Sequence, residues 1–368
     1  MKKTRDQIRD EALEIIKPRL KSGLGISMGV GKTLIGLTHL EGIRKNLNRR
    51  VRALVVAPKK SIFDTWAQQA EEHGYPHLIE DITFSTYRSL LKQDLDYDVI
   101  YLDECHSLLF SHKPWLREFK GTILGLTGTP PAMDQSEKGR MVTEFCPIVY
   151  TYITDDAVDD DILNDYRIVV HMLSLDREPT ILIEKGNKKW YSSEVKDYTY
   201  WTDQYNNAMH QSVRQQKAIQ RMKSMQTFPS KEEYAKRLLM QSKHKCLLFA
   251  NTKAQADKLC SHSYHSGNKN SQQNLEDFRD GKITKMSCVL QLNEGANITD
   301  LKESIIMHSY GNERKTAQRI GRTLRLNPND TAIINILCYK NTVDEKWVIQ
   351  ALGNFDDTKI SWYDTEIF

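Results

Sequence analysis

The feature that most constrains this chain is a glycine-rich loop between an apolar strand and an apolar helix. Residues 24–28 predict a short strand, and residues 33–44 predict a helix. The loop between them reads Gly29, Val30, Gly31, Lys32 and Thr33. Glycines let backbone N–H groups approach a phosphate, and the start of a helix provides a favourable field for an anion. The strand and helix on either side favour a phosphate loop over a plain glycine turn.

The loop predicts a nucleoside triphosphate with magnesium as its ligand. We expect Gly29, Val30 and Gly31 to surround the phosphates and Lys32 to reach the β- and γ-phosphates. We expect the Thr33 hydroxyl to be a magnesium ligand. The strict pattern begins with a glycine five residues before Gly31, and Ile26 stands at that position instead.

A strand that ends in two carboxylates predicts the second part of the same site. Residues 99–102 are apolar and lead into Asp103, Glu104, Cys105 and His106. We expect Asp103 to face the magnesium ion and Glu104 to act as the general base towards the attacking water. We expect His106 to link this acidic box to the next motif. Acidic residues often end strands, so the signal gains its strength from the phosphate loop earlier in the chain.

A third strand ends in hydroxyl groups. Residues 122–126 predict that strand, and Thr127, Gly128 and Thr129 follow it. Hydroxyls at this position can bond the acidic box and relay its state. Taken alone, the pattern favours a simple turn before Pro130.

Two arginines late in the chain predict a source of positive charge for catalysis. The predicted helix 316–324 contains Gln318 and Arg322, and Arg325 follows. Residues three apart share a helix face, so the two arginines can point together at a γ-phosphate. Such arginine fingers stabilise the charge of the transition state. The alternative is a basic surface helix.

The alternation of short apolar strands with helices predicts an α/β protein with two lobes, each a mostly parallel sheet. The expected organisation is an N-terminal lobe over residues 1–150, an accessory segment over 151–243 and a C-terminal lobe over 244–368. In the accessory segment, residues 188–191 predict a hairpin edge and residues 201–225 predict one long helix. That helix contains several basic side chains, and two interpretations stay open: a nucleic-acid-binding arm, or a solvated helix packed on the second lobe. Those side chains are Arg214, Lys217, Arg221 and Lys223.

Composition excludes several other classes of protein. The formal net charge is only +4, so any contact with a phosphate backbone must come from a local groove. The sequence contains no run of 18 apolar residues, so no membrane span is predicted. The charged first ten residues do not resemble a secretory signal. The six scattered cysteines form no CxxC pair, which favours reduced thiols and a cytoplasmic location. Kinases and switch GTPases with a phosphate loop need one lobe and leave the second lobe unexplained.

Together these motifs resemble superfamily 2 helicases and translocases of the DExH type, over residues 7–347. Within the superfamily the chain looks most similar to phage branch-migration DNA helicases, with some likeness to Snf2-type and restriction-enzyme translocases. The resemblance implies two RecA-like lobes with ATP and Mg²⁺ bound between them. It also implies that the protein is a monomer whose partner is nucleic acid, most of all DNA. The expected location is cytoplasmic, in the host cell if the protein is viral.

The resemblance implies further site residues, matched motif by motif. Gln7 matches the glutamine that reads adenine, and Trp66 matches an aromatic residue that follows a backbone-gripping motif. Residues 342–345 match a tail motif of the DNA-translocating branch. Contacts with the nucleic-acid backbone are implied for Pro58, Lys59, Thr86, Tyr87, Arg88, Asn251 and Thr252. Contacts with nucleotide ribose or nucleic acid are implied for Gly295 and Asn297.

The sequence therefore predicts an ATP-dependent DNA helicase or translocase that moves along DNA or remodels it, including branched DNA in replication or recombination. Three alternatives stay open: a duplex-DNA translocase that does not separate strands, an RNA helicase, and an inactive nucleic-acid-binding module. An inactive module commonly lacks at least one catalytic side chain, whereas the sequence keeps Lys32, Asp103, Glu104, Arg322 and Arg325.

Overall fold

The computed structural model describes residues 2–131, 136–289, 298, 300–309, 320, 330–353 and 355–365. These residues divide into two compact units, one over residues 2–164 and one over the described residues from 165 on. The boundary differs from the predicted one at residue 150. Residues 151–243 are also not a separate segment, because a strand within them pairs with the second sheet.

The first unit is built on a parallel sheet with the strand order β3-β2-β4-β5-β1-β6. Its strands are β1 (Lys21–Ile26), β2 (Ala53–Ala57), β3 (Ile82–Thr86), β4 (Val99–Asp103), β5 (Thr122–Thr127) and β6 (Ile148–Tyr152). Its α-helices are α1 (Arg5–Ile16), α2 (Lys32–Leu47), α3 (Ser61–Glu72), α4 (Lys113–Glu118), α5 (Glu137–Phe145) and α6 (Thr154–Asp159). Short 3-10 helices span Pro76–Asp81, Tyr87–Lys92, Cys105–Ser107 and Phe110–His112.

The central strands of the first unit's sheet are fully buried. Every residue of β2 and β4 is buried, as expected of parallel strands covered by helices on both faces. This explains why their sequences are continuous apolar runs rather than alternating patterns. Parallel strands end at the same edge of a sheet, so the loops that follow β3, β2, β4, β5 and β1 lie along one edge.

The second unit contains a parallel sheet with the order β11-β12-β10-β13-β14-β7-β15 and a separate antiparallel hairpin, β8–β9. The strands are β7 (Tyr166–Leu173), β8 (Ile181–Lys185), β9 (Lys188–Ser192), β10 (Cys246–Ala250), β11 (Ser263–Tyr264), β12 (Lys285–Val289), β13 (Glu303–Ile306), β14 (Ala332–Tyr339) and β15 (Ile360–Thr365). The α-helices are α7 (Glu194–Asn206), α8 (Gln211–Met225), α9 (Pro229–Gln241), α10 (Lys253–Leu259), α11 (Ser271–Arg279) and α12 (Val343–Leu352). A 3-10 helix spans Asp357–Lys359. The predicted α/β architecture with parallel sheets is confirmed.

The single helix predicted over residues 201–225 is wrong. The structure has two helices there, α7 and α8, separated by a turn in which Met209 is 96% exposed. The two helices are held together by basic side chains of α8 that lie over aromatic rings of α7. Arg221 lies 4.8 Å from the ring centroid of Tyr205, and Lys217 lies 5.6 Å from that of Trp201. These contacts form only if the chain reverses direction between the two helices. Their energy outweighs the helical preference of the residues that form the turn.

Most of the predicted basic arm therefore takes part in packing. Arg214, Lys217 and Arg221 all lie over rings of α7, and no such contact is shown for Lys223 among the described residues; Arg214 and Lys223 are exposed. The helical-packing interpretation describes the first three side chains, although a ring-stacked cation keeps its charge and can still face an anion.

The tail motif over residues 342–345 forms part of a buried polar cluster. The ammonium group of Lys231 and the carboxylate of Asp344 form an ion pair, and both side chains are almost fully buried. Thr342 accepts a hydrogen bond from the Asp344 N–H and thereby caps α12. Burial raises the pKa of nearby Glu194, although its carboxylate accepts bonds from Ser230. Removing one member of such a cluster leaves a buried charge unpaired, so this motif has a structural role.

None of the described helices is long and apolar enough to cross a membrane.

Candidate active site

The phosphate loop begins where β1 ends and stops at the first turn of α2. Gly29 and Gly31 have φ values of +88° and +119°, a region of backbone conformation that favours glycine. Gly31 is the N-cap of α2 and makes no side-chain cap. A helix start that lacks a side-chain cap leaves its first N–H groups for another acceptor, which makes it a site for an anion. Val30 is buried, so it can contact phosphate only through its backbone.

The side chain of Lys32 folds back over the loop. Its ammonium group donates to the carbonyl oxygens of Ile26 at 2.9 Å and Ser27 at 3.4 Å. Gly128, from the motif that follows β5, approaches the same ammonium group, and a Cβ there would lie 3.2 Å from Nζ. The glycine thus lets the third motif come close to the phosphate loop.

The acidic box lies at the end of the buried strand β4. Asp103 and Glu104 are only 7% and 9% exposed. Glu104 has a φ of +52°, a left-handed conformation that is uncommon for a residue with a side chain. Backbone strain of this kind often occurs at functional sites, and it costs about 1–3 kcal/mol. A hydrogen bond with Cys146 and, to a smaller extent, burial raise the pKa of Cys105. This residue therefore stays a thiol rather than a nucleophilic thiolate.

The acidic box is bonded to the hydroxyl motif after β5. The hydroxyl of Thr127 donates to Oε2 of Glu104 at 3.4 Å and accepts from the Thr129 N–H at 3.1 Å. Nδ1 of His106 lies 2.9 Å from Oγ1 of Thr127 and 3.3 Å from Oε2 of Glu104. The predicted link from the acidic box through His106 is therefore confirmed as a set of contacts. Oγ1 of Thr129 is buried without a partner among the described residues.

Two aromatic side chains hold Asp103 in place. The indole N–H of Trp66 donates to Oδ2 of Asp103 at 2.9 Å, and the indole is fully buried. The hydroxyl of Tyr87 donates to the backbone carbonyl of Asp103, also at 2.9 Å. Sequence reasoning recognised both residues by resemblance and assigned neither to the acidic box, because they lie 37 and 16 positions from Asp103.

The predicted contact of Tyr87 with nucleic acid stays a prediction and falls to its backbone, because its side chain lies in the core. The residue is 6% exposed, its hydroxyl is bonded within the unit, and burial raises its pKa well above the usual value. Its apolar ring occupies the core, where no polymer can reach it. Lys59 and Arg88 are exposed, after β2 and β3 respectively, and remain predicted backbone contacts. Pro58 and Thr86 are half-buried beside them.

The residues predicted to hold magnesium offer oxygen donors of the right kind. Thr33 supplies a hydroxyl at the start of α2, and Asp103 supplies a carboxylate at the end of β4. Among the described residues, no group of three or more histidine, cysteine, aspartate or glutamate side chains could hold a metal ion. A hydroxyl and one carboxylate suit Mg²⁺, which keeps several waters and binds through one or two carboxylates together with substrate phosphates.

Gln7 has a local structural role in addition to its predicted one. Its carboxamide oxygen accepts from the Thr4 N–H at 2.8 Å, while the Thr4 hydroxyl accepts from the Gln7 N–H. The pair forms a capping box at the start of α1, where Gln7 is exposed. Its contact with adenine stays a prediction.

In the second unit, Asn251 and Thr252 lie between β10 and α10. The Thr252 hydroxyl accepts from the Gln255 N–H at 3.1 Å, and the Asn251 N–H donates to the Gln255 carboxamide oxygen. Their contact with nucleic acid stays a prediction. Five other predicted site residues lie outside the described residues: Gly295, Asn297, Gln318, Arg322 and Arg325.

Comparison with known families divides the chain in the same way as its motifs. Residues 3–132 match the model of the type III restriction enzyme res subunit, and residues 230–327 match the helicase conserved C-terminal domain. The first match contains the phosphate loop and the acidic box, and the second contains the late arginines. Together, these matches and the translocase relative described below support a helicase of superfamily 2. The chain is therefore a helicase-type enzyme that hydrolyses ATP.

Individual relatives of this superfamily are distant in sequence. The chain is 23% identical to the DNA 3'-5' translocase XPB2 of Sulfurisphaera tokodaii, over 93% of this chain and 84% of the relative. The fold is similar to a fragment assigned as the HsdR subunit of a type I restriction enzyme from Vibrio vulnificus YJ016. That match has a TM-score of 0.64 at 15% identity and covers 98% of this chain and 68% of the other. The Hef helicase domain of Pyrococcus furiosus matches with a TM-score of 0.51 at 16% identity, over 95% of this chain and 100% of the other.

Proposed function

We propose that this superfamily 2 chain is a DNA translocase that uses ATP and Mg²⁺ to move along DNA in the 3′ to 5′ direction. The observation that supports the proposal most is the joining of the acidic box to the hydroxyl motif through Glu104, His106 and Thr127. The name of the XPB2 relative supports both the polymer and the direction.

Each residue of the first unit has a definite part in this proposal. Lys32 neutralises charge on the β- and γ-phosphates. Thr33 and Asp103 would hold the magnesium ion. Bound Mg²⁺ would supply a positive charge that polarises the phosphate oxygens. Glu104 accepts a proton from the attacking water, and the hydroxyl of Thr127 orients its carboxylate for that transfer.

The positive charge that stabilises the transition state is assigned to Arg322 and Arg325, and a further catalytic role to Gln318, on their sequence motif alone. DNA contacts are assigned to Lys59 and Arg88, whose exposed charges suit phosphate oxygens and read no sequence. The affinity for DNA should then fall steeply as salt rises.

The second candidate function is strand separation, including the remodelling of branched DNA that the resemblance to branch-migration helicases implies. The exposed β8–β9 hairpin favours it, since Trp190 and Tyr191 are 45% and 64% exposed there. Exposed aromatic rings on the strand of such a hairpin can stack on unpaired bases.

The test is ATP turnover without polymer and with single-stranded, duplex and branched DNA and RNA. We expect duplex or branched DNA to raise turnover, and Glu104→Gln to abolish it while DNA binding remains. Glu118→Gln, an exposed glutamate of the same unit, serves as the matched control and should equal the native chain.

Displacement of a third strand from triplex DNA, beside unwinding of a fork, separates the two candidates. Triplex displacement without fork unwinding supports the translocase. Stimulation by RNA alone overturns the assignment of DNA as the polymer. Equal turnover by the native chain and Glu104→Gln overturns the assigned chemistry.

A further inference from the structure

Asp103 receives a hydrogen bond from each of the two segments that are predicted to grip nucleic acid in the first unit. The segment around Pro58 and Lys59 leads directly into α3, and Trp66 of α3 donates to the Asp103 carboxylate at 2.9 Å. The segment around Arg88 contains Tyr87, which donates to the Asp103 carbonyl oxygen at 2.9 Å.

The position of Trp66 is fixed by close packing on three sides. Its face of α3 also buries Ile62 and Ala70. The indole lies against Tyr101 of β4, with ring centroids 5.4 Å apart. On α2 it occupies space that only glycine leaves open, because a Cβ on Gly36 would come within 2.6 Å of Cη2. Trp66 thus contacts both the phosphate-loop helix and the acidic strand.

Close packing makes Trp66 a stiff connection. A rigid indole in a filled core cannot absorb a movement of α3 by changing its rotamer, so a shift at the start of the helix reaches Asp103. The start of α3 is itself tied to the neighbouring strand, since Phe63 packs on Phe84 of β3 with ring centroids 5.1 Å apart. A force on either exposed segment therefore acts on the same residue, Asp103.

We infer that Trp66 and Tyr87 are positioning residues that couple contact with the DNA backbone to the placement of Asp103 as a magnesium ligand. The inference rests on the proposed function for its DNA part, whereas the positioning of Asp103 stands on the first unit alone. Hydrogen bonds from such supporting residues orient metal ligands, and their loss typically costs 10–100-fold in metal affinity or activity.

The experiment compares Trp66→Phe and Tyr87→Phe with the native chain in the full-length protein. Trp115→Phe is the matched control, because Trp115 is buried in the same unit and its indole donates to the Gln93 carbonyl, away from the site. Four quantities are measured: the Kd of ADP with and without Mg²⁺, the Kd of duplex DNA, basal turnover, and the stimulation of turnover by DNA.

We expect Trp66→Phe to weaken ADP binding roughly tenfold with Mg²⁺ and not without it, and to reduce stimulation by DNA roughly tenfold. The Kd of DNA should stay unchanged, and Trp115→Phe should behave as the native chain throughout. Tyr87→Phe removes a single hydroxyl, so it keeps the inference testable if Trp66→Phe fails to fold. We expect it to change the same two quantities by a smaller factor.

The inference is overturned if Trp66→Phe and Tyr87→Phe match Trp115→Phe in the Mg²⁺ dependence of ADP binding. A changed Mg²⁺ dependence with unchanged stimulation refutes the coupling and keeps the positioning role. If DNA fails to stimulate the native chain, the proposed function and the coupling both fail, while ADP binding still decides whether Trp66 positions Asp103.

Discussion

The two units use the same strand–loop–helix junction with different caps. In the first unit β1 leads through Gly31 into α2, whose first residue is Lys32. In the second unit β10 leads through Thr252 into α10, whose first residue is Lys253. In both units, a lysine is the first residue of the helix, and that helix follows a strand of a parallel sheet.

The caps decide what each helix start can bind. The hydroxyl of Thr252 accepts the Gln255 N–H, so part of the helix start is already satisfied by the protein. Gly31 provides no such acceptor, and its left-handed backbone leaves the donors of α2 for a phosphate. A strand, a lysine and a helix are therefore not enough for a nucleotide site, and the glycine cap makes the difference.

Replacing the two lysines tests this contrast with the largest expected effect. Lys32→Ala removes the charge that faces the phosphates and should lower kcat by on the order of 10²–10³-fold, as loss of one transition-state donor does. Lys253→Ala should change basal turnover by less than about threefold, because the capped helix of the second unit is not expected to hold the phosphates of ATP. Steady-state ATPase assays on both variants measure the difference. Comparable losses in the two variants contradict the role given to the glycine cap.

Acid should destabilise the first unit through His39 of α2. Burial lowers the pKa of His39 from 6.5 to about 4, beside the hydroxyl of Tyr101. Between these values the unfolded chain binds more protons than the folded one, so stability is complete above pH 6.5 and falls as the pH drops towards 4. Urea unfolding at pH 5 should therefore show about 2 kcal/mol less stability from this group than at pH 7.

The variant His39→Gln should remove this part of the acid sensitivity. His171 of the second unit, whose pKa burial also lowers, is the matched position, and His171→Gln should act on the second unit instead. Hydrogen exchange resolved by unit assigns each effect. If the first unit of His39→Gln loses as much stability in acid as that of the native chain, the prediction is wrong.

The cap of α10 should contribute the smallest of these effects. Thr252→Ala removes the acceptor for the Gln255 N–H and should lower the free energy of unfolding by about 1 kcal/mol. Thr252→Ser keeps the hydroxyl and should restore most of the loss. Denaturant unfolding of the three proteins provides the measurement, and a drop in Thr252→Ser equal to that in Thr252→Ala shows that the hydroxyl is not the cap.

Much of the fold follows from local patterns. Strands β4 and β5 lie within one residue of their predicted bounds, 99–102 and 122–126, because each is an apolar run enclosed by turn residues. The prediction failed where distant partners decide the structure. β7 joins the second sheet by pairing with β14 and β15, and the aromatic rings of α7 turn α8 back at residues 207–210. β14 and β15 are far from β7 in sequence, and the return of α8 onto α7 depends on side-chain packing rather than on helical periodicity, so neither signal is part of the local pattern.

The amino-acid sequence alone determined the phosphate loop, the acidic box and the parallel α/β class, since glycine freedom, charge and strand periodicity are properties of neighbouring residues. Only the tertiary structure decided which distant groups meet at the site. The strand order places β4 beside both β2 and β5, and this brings Trp66 to Asp103 and Thr127 to Glu104. The physical reason is that strand order arises from burying the apolar faces of many elements at once, and it fixes contacts between residues that no local pattern connects.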